Sequence, residues 1–197
     1  MIRTLVKPIF LVLAVSLVSG CATAQLAKGP DIGTLKQNSG ATQVSVAMVE
    51  DARATTHAGS IGATSIDVPK DVNTMVYNYL VSHLNEDLGV NIKEAGRVSQ
   101  QDIAQMGADR LIVSEISSIK VSSFDAIMQP VQTEILLNLS VLNKQGQSVY
   151  KQTYLGKYEE RIGISIVASK TGQLVESAVK NLISQITSDS NFKKALG

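Results

Sequence analysis

The chain has 197 residues, with 18 Lys and Arg against 17 Asp and Glu and a single cysteine. That balance gives no basic surplus for nucleic acid and no acidic block for a charged tail, and a lone cysteine allows no internal disulfide. With no Trp, three Phe and five Tyr, an aromatic platform for sugars or nucleobases is not expected, and the core must come from Val, Ile and Leu.

The first segment is a leader. Arg3 and Lys7 form a short basic region, residues 9–18 an apolar run, and Ser19-Gly20 a small-residue cleavage site directly before Cys21. Ten apolar-type residues make a helix only about 15 Å long, roughly half of a bilayer core and too short for a stable span. Leu17-Val18-Ser19-Gly20-Cys21 resembles the lipobox of bacterial lipoproteins, in which the cysteine becomes the first mature residue and carries the lipid. The resemblance implies removal of residues 1–20 and acylation of Cys21. It also implies export to the periplasmic leaflet of the outer membrane, because Ala22 rather than Asp follows. The alternative is an ordinary signal peptide that leaves Cys21 as a stray thiol. Removal of the first 20 of 197 residues leaves 177, and Lys plus Arg falls from 18 to 16 against 17 acidic residues. That length suits one domain and a tether. Acylation also leaves no thiolate nucleophile.

Residues 22–42 read as the tether. Gly29-Pro30, Gly33 and Gly40 interrupt a polar stretch without a sustained period, and such a coil spans about 25 Å. Its three large apolar residues, Leu26, Ile32 and Leu35, are not expected to dock. A strand follows over 43–49, where Val44, Val46 and Met48 alternate with Ser45 and Ala47. Residues 55–66, with Gly59 and Gly62, read as a loop or weak hairpin. Val72, Met75, Val76, Tyr79, Leu80, Leu84 and Leu88 then form one stripe of a long helix, with Asp71 as its cap and Gly89 as its left-handed stop. His83 lies close to that stripe and reads as a half-buried histidine rather than a ligand.

Val90-Asn91-Ile92 reads as a short strand, and Ser99 with Asp102 as the start of a brief helix through Met106. Residues 111–121 form a long strand whose apolar parity changes between Ile116 and Ile119, which predicts a bulge near Ser117-Ser118. Val131, Ile135, Leu137, Leu139 and Val141 share one face of the next strand. Asn143-Lys144-Gln145-Gly146 turns the chain, and residues 147–158 return antiparallel with Tyr150, Tyr154 and Tyr158 on one face. Leu174, Val175, Ala178, Val179, Leu182, Ile183 and Ile186 stripe a second long helix over 172–188, and Phe192 and Leu196 add a short final turn. The expected architecture is a single α+β domain over residues 43–197. Its mainly antiparallel sheet carries the two long amphipathic helices on one face, preceded by a signal peptide (1–20) and a flexible tether (21–42).

The order of elements over 44–196 resembles the YajG-type lipoproteins, an uncharacterised family. The shared features are the lipobox, a first strand ending in Val49-Glu50-Asp51-Ala52-Arg53, and the helix-strand-helix unit before Gly107-Ala108-Asp109. A hairpin with Tyr150 and Tyr154 and a closing Asp189, Phe192, Leu196 pattern complete them. Gly107-Ala108-Asp109 entering an apolar strand is also similar to the periplasmic α+β modules of TolB amino-terminal domains and of lipoprotein activators of peptidoglycan synthases. These resemblances imply docking onto a partner and bring no catalytic, cofactor-binding or metal-ligating residues.

Residue chemistry points the same way. Ser117-Ser118-Ile119-Lys120 and Lys170-Thr171-Gly172 match two parts of the penicillin-binding set, but the first interrupts a strand where that set opens a helix, and the intervening S-D-N is missing. His57 and His83 are far apart, and the adjacent pairs Glu50-Asp51 and Glu159-Glu160 point to opposite faces of extended chain. No enzyme activity, cofactor or metal is expected. Two function classes follow. One is a non-enzymatic accessory lipoprotein that is held on the membrane by lipid on Cys21 and docks another envelope protein. The other is a carrier or sensor of an apolar or cell-wall ligand held against the sheet. Tyr150, Tyr154 and Tyr158 are the candidate docking surface if exposed, and a packing row beneath a helix or loop if not.

Overall fold

The computed structural model describes residues 20–33, 35–96, 107–123, 130–163 and 166–197. The leader residues 1–19 and the brief helix expected over 99–106 lie outside them. In chain order the elements are β1 (Cys21–Thr23), β2 (Gln43–Ala47), β3 (Glu50–Asp51), β4 (His57–Ile61), β5 (Thr64–Asp67) and α1 (Val72–Asp87). Then come β6 (Asn91–Gly96), β7 (Arg110–Ser123), β8 (Pro130–Asn143), β9 (Ser148–Arg161), α2 (Val167–Ser188) and α3 (Ser190–Leu196).

The three longest alternating stretches become β7, β8 and β9, each of 14 residues, and pair antiparallel. The register between β7 and β8 shifts between Ile116 and Ser118, so the parity change in the sequence is a bulge at Ser117. On β8 the burial alternates from Pro130 to Val141: Val131, Thr133, Ile135, Leu137, Leu139 and Val141 are buried while the residues between them are partly exposed. The sheet is mostly antiparallel, as expected, and its other half adds parallel pairs. Its order is β6-β2-β7-β8-β9, and β2 lies between β6 and β7 parallel to both, with β3 also parallel to β7. The cause is connectivity, because the return from β2 to β6 passes through the small hairpin and α1, a crossover rather than a tight turn. The weak hairpin over 55–66 forms as β4 and β5 and, with β1, makes a second sheet of three strands in the order β1-β5-β4.

The helices cover one face of the large sheet, and the space between is filled by fully buried side chains such as Ile135, Leu137 and Leu139 from β8 and Leu174 and Leu182 from α2. α1 ends as expected before Gly89, which adopts φ +65°. Its start differs. Asp71 is itself helical and makes no capping bond, because the chain already winds through Pro69–Asp71, whose carbonyls accept from the amides of residues 72–74.

The largest difference lies before β2. Residues 24–33 and 35–42 are not a free tether but a strap laid along α1, so the flexible-tether expectation for 21–42 is corrected. Ala24 is buried, and Leu26, Ile32 and Leu35 pack against the core. Two asparagines hold the strap's backbone on both sides of a single residue. Asn85 accepts from the Lys36 amide at 2.8 Å and donates to the Lys36 carbonyl at 2.9 Å. Asn91 does the same for Asn38, at 2.6 and 2.8 Å. Asn78 donates to the Lys28 carbonyl at 2.7 Å. Farther back, Gly172 lets α2 close on the strap, since a Cβ there would overlap the Gln25 carbonyl.

Strap and sheet together explain the burial of α1. Residues 75–77 and 79–81 are all buried. Three consecutive helical residues sweep about 200°, so the single stripe read from the sequence is only part of the helix's covered surface. Replacing Asn85 by Ala removes both bonds to Lys36 and a third to the Val90 carbonyl. The expected cost is about 1–3 kcal/mol in urea-induced unfolding. Amide exchange should then speed up over residues 24–38 ahead of the sheet.

Candidate functional site

The tyrosine row sits on β9, where a four-residue spacing keeps Tyr150, Tyr154 and Tyr158 on the face covered by α2 and α3. Gly156, between the last two, lets α2 approach, since a Cβ there would lie 2.5 Å from the Ala178 carbonyl oxygen and 2.7 Å from Leu182 Cβ. Tyr154 is buried, with 7% of its surface exposed. Tyr150 and Tyr158 are half-buried and pack against the core.

The hydroxyls of Tyr150 and Tyr154 reach one carboxylate oxygen. Tyr150 donates to Asp189 Oδ2 at 2.6 Å, Tyr154 lies 2.9 Å from the same atom, and the two hydroxyl oxygens are 2.6 Å apart. The other oxygen, Asp189 Oδ1, accepts from the backbone amides of Asn191 and Phe192 and so caps α3. Phe192 in turn meets the Tyr150 ring edge-on at 5.8 Å. The Tyr150 hydroxyl, followed by that of Tyr154 and the two amides, holds the Asp189 carboxyl below its ordinary value despite partial desolvation. Burial, reinforced by these bonds, pushes the Tyr154 hydroxyl far up, and burial with the Asp189 bond raises Tyr150. Two thirds of the candidate docking surface is therefore a clasp that fixes the C-terminal helix to the sheet. Tyr158 alone borders open space, lining a shallow recess of about 330 Å³ with Gln132, Lys157 and Glu159.

Cys21 is exposed at the start of β1. The residues of the penicillin-binding-like motifs are engaged in structure. Ser117 donates to the Leu136 carbonyl across the bulge, Lys170 pairs with Glu160 at 3.0 Å, and Thr171 donates to the Val167 carbonyl one turn earlier. His57 faces Ser65 and Asp67, while His83 bonds Asp87 at 2.7 Å and stacks on Tyr79. Among the described residues, no group of three or more His, Cys, Asp or Glu could hold a metal ion.

In Val49-Glu50-Asp51-Ala52-Arg53, Asp51 and Arg53 form a buried bidentate pair at 2.9 and 2.7 Å. The guanidinium also donates to the carbonyls of Val68 and Pro69, which lead into α1. Burial pushes the Asp51 carboxyl up, but the bonds from Arg53 outweigh it and leave the net shift downward. The pair joins the end of β3 to the entry of α1, a positioning role that the adjacency of D-A-R hints at and only the fold displays.

Because the folded-state value of Asp189 is depressed, its contribution to stability is complete at neutral pH and disappears as pH falls below the ordinary 3.8. Asp189→Asn should therefore be less stable than the native chain by about 1–3 kcal/mol at pH 7. Urea midpoints measured from pH 7 to pH 2.5 should show that difference shrinking as the native carboxylate is protonated.

No protein-family model and no curated protein sequence matches the chain, and no helix among the described residues is long and apolar enough to cross a membrane. Solved structures do match. A protein described as a neuraminyllactose-binding hemagglutinin homolog from Helicobacter pylori superposes with a TM-score of 0.57 at 13% identity, covering 87% of this chain and 98% of its own. Protein XCC0632 from Xanthomonas campestris, assigned to the DUF330 family, gives 0.50 at 13% identity, covering 85% and 95%. At such identity the likeness is one of fold, and it extends through nearly the whole of each matched chain.

Proposed function

We propose that the chain is a lipid-anchored, non-enzymatic accessory module of the cell envelope, of the YajG type. Cys21 carries the lipid, the domain sits on the periplasmic leaflet of the outer membrane, and another envelope protein is its partner. The observation that carries this reading is the leader itself: a basic start, a short apolar run and Ser19-Gly20 placed directly before the chain's one thiol. The exposure of Cys21 at the end of an edge strand supports it, because an acyl transferase needs access to that sulfur. Each acyl methylene buried in the bilayer adds about 0.8 kcal/mol, so several chains hold a domain of this size firmly. A binding role is supported by the way chemistry-bearing side chains are engaged, with Tyr150, Tyr154 and Asp189 in the C-terminal clasp and Asp51 with Arg53 at the entry of α1.

Cys21→Ser is expected to yield unprocessed or soluble protein, whereas the native chain fractionates with outer-membrane markers and has the intact mass of an acylated product. In-cell crosslinking of the native form should capture a recurrent envelope protein. A Cys21→Ser form still cleaved after Gly20 and membrane-bound would defeat the anchor. Turnover of a cell-wall substrate by the purified domain would defeat the non-enzymatic reading.

A further inference from the structure

A lipoprotein with a flexible tether hangs from its membrane in no fixed orientation, but here the chain is locked from its anchor residue onward. Cys21 itself pairs with Ser65, Ala22 with Ile66 and Thr23 with Asp67, parallel along β5. The Ala24 amide then donates to the Asp67 carbonyl at 2.8 Å. Beyond it the strap is held by the Gln25–Gly172 contact and the asparagine bonds along α1. No length of free chain separates the thiol from the folded domain.

The surface around that thiol has a distinct composition. Residues 20–27 and 58–66 carry no charged side chain, although the chain as a whole contains 18 basic and 17 acidic residues. These two segments are the ones that β1 and the β4–β5 hairpin bring side by side. Cys21, Thr23, Gln25, Ala27, Ser60, Gly62 and Ala63 are exposed members of it. Ala63, at the hairpin tip, lies two residues from Ser65, the partner of Cys21, or about 7 Å along the strand. A Cβ on Gly59 would overlap the Val121 carbonyl, which places the hairpin against the C-terminal part of β7. The 143–146 turn lies at the other end of that strand, where Asn143 pairs with Arg110. Val121 and Arg110 are 11 residues apart, roughly 36 Å of extended chain.

We propose that the uncharged end formed by β1 and the β4–β5 hairpin rests directly on the lipid bilayer that takes up the acyl chains of Cys21, so that the anchor fixes the domain's orientation. This rests on the acylation proposed above. Acyl chains draw the Cys21 backbone to the headgroup layer, and with no free chain behind it the neighbouring surface must follow. Charged side chains brought against that layer would lose hydration at a cost, and residues 20–27 and 58–66 bring none; His57 and Asp67, the charge-bearing residues of β4 and β5, lie at the end of the hairpin away from its 62–63 tip. The end bearing the 143–146 turn and Asp109 then points into the periplasm.

The test uses the acylated mature protein in vesicles of phosphatidylethanolamine and phosphatidylglycerol that contain a headgroup-quencher lipid. A fluorophore is placed at Ala63→Cys or at Gln145→Cys, where acylation of Cys21 leaves no competing thiol. The label at position 63 should lose most of its emission, while the label at 145 keeps its own. A Gly/Ser insert of about 20 residues between Cys21 and Ala22, which adds roughly 25 Å of slack, should restore most of the emission at 63. Equal quenching at the two positions in an acylated chain, or no effect of the insert, would overturn the fixed orientation and leave the anchor intact. A mature chain without acyl mass would overturn the anchor and the orientation with it. If the label at 63 is unquenched in vesicles but shielded from aqueous iodide in native membranes, this end belongs to a protein partner and the proposal fails.

Discussion

The structure depends on closing water out around α1. A helix in which Met75, Val76 and Tyr77 are all buried, and then Tyr79, Leu80 and Val81, cannot rest on a sheet alone. The large sheet covers one side and α2 another, with Tyr79 donating to Glu176 at 2.6 Å and Lys180 lying over the Tyr79 ring. The strap supplies the remaining cover. It is an irregular segment, so its backbone groups need partners, and α1 and β6 provide them through amide side chains that can donate and accept at once. Asn78 and Asn85 stand seven residues apart, two turns along one helix face, and Asn91 continues the line at the start of β6.

A second constraint acts at the far edge of the sheet. Among the described residues β9 pairs only with β8, and an open strand of 14 residues is a template for unwanted pairing. α2 occupies part of that edge. Asn181 accepts from the Lys157 amide at 3.2 Å, and Gln185 donates to the Leu155 carbonyl at 3.0 Å. Exposed Lys151 and Lys157 add charge along the same strand. The clasp on Asp189 then keeps α3 in place at the end of α2. The side chains of Asn181, Gln185 and Asp189 on this side are thus engaged in closing the fold.

In the proposed acylated form, the anchor residue and the domain make a continuous unit, because Cys21 is already paired in β1. An anchor confines a binding module to a thin layer and raises the effective concentration of any partner there without a new contact. With Cys21 acylated as proposed, a rigid attachment adds direction to that confinement, committing one end to the bilayer and presenting the opposite one. The two N-terminal devices that impose this, the pairing of β1 with β5 and the asparagine bonds, are made of short-range hydrogen bonds, and their strength does not depend on ionic conditions as surface ion pairs do.

How much of this was legible in the residues follows from the range of the forces involved. The helical stripes, the alternation on β8, the bulge at Ser117 and the turn at 143–146 are set by periodicity and turn chemistry within a dozen residues, and each could be read directly from the chain. The clasp of Tyr150 and Tyr154 could not, because it depends on Asp189, which lies 39 and 35 residues farther along. Parallel pairing of β2 with β6 and β7 was hidden for the same reason. The strap was misread because Gly, Pro and Asn favour loops wherever they occur. Local composition says that such a segment has no regular structure, and only the partners waiting some 50 residues away, on α1 and at the start of β6, decide whether it is free or fastened.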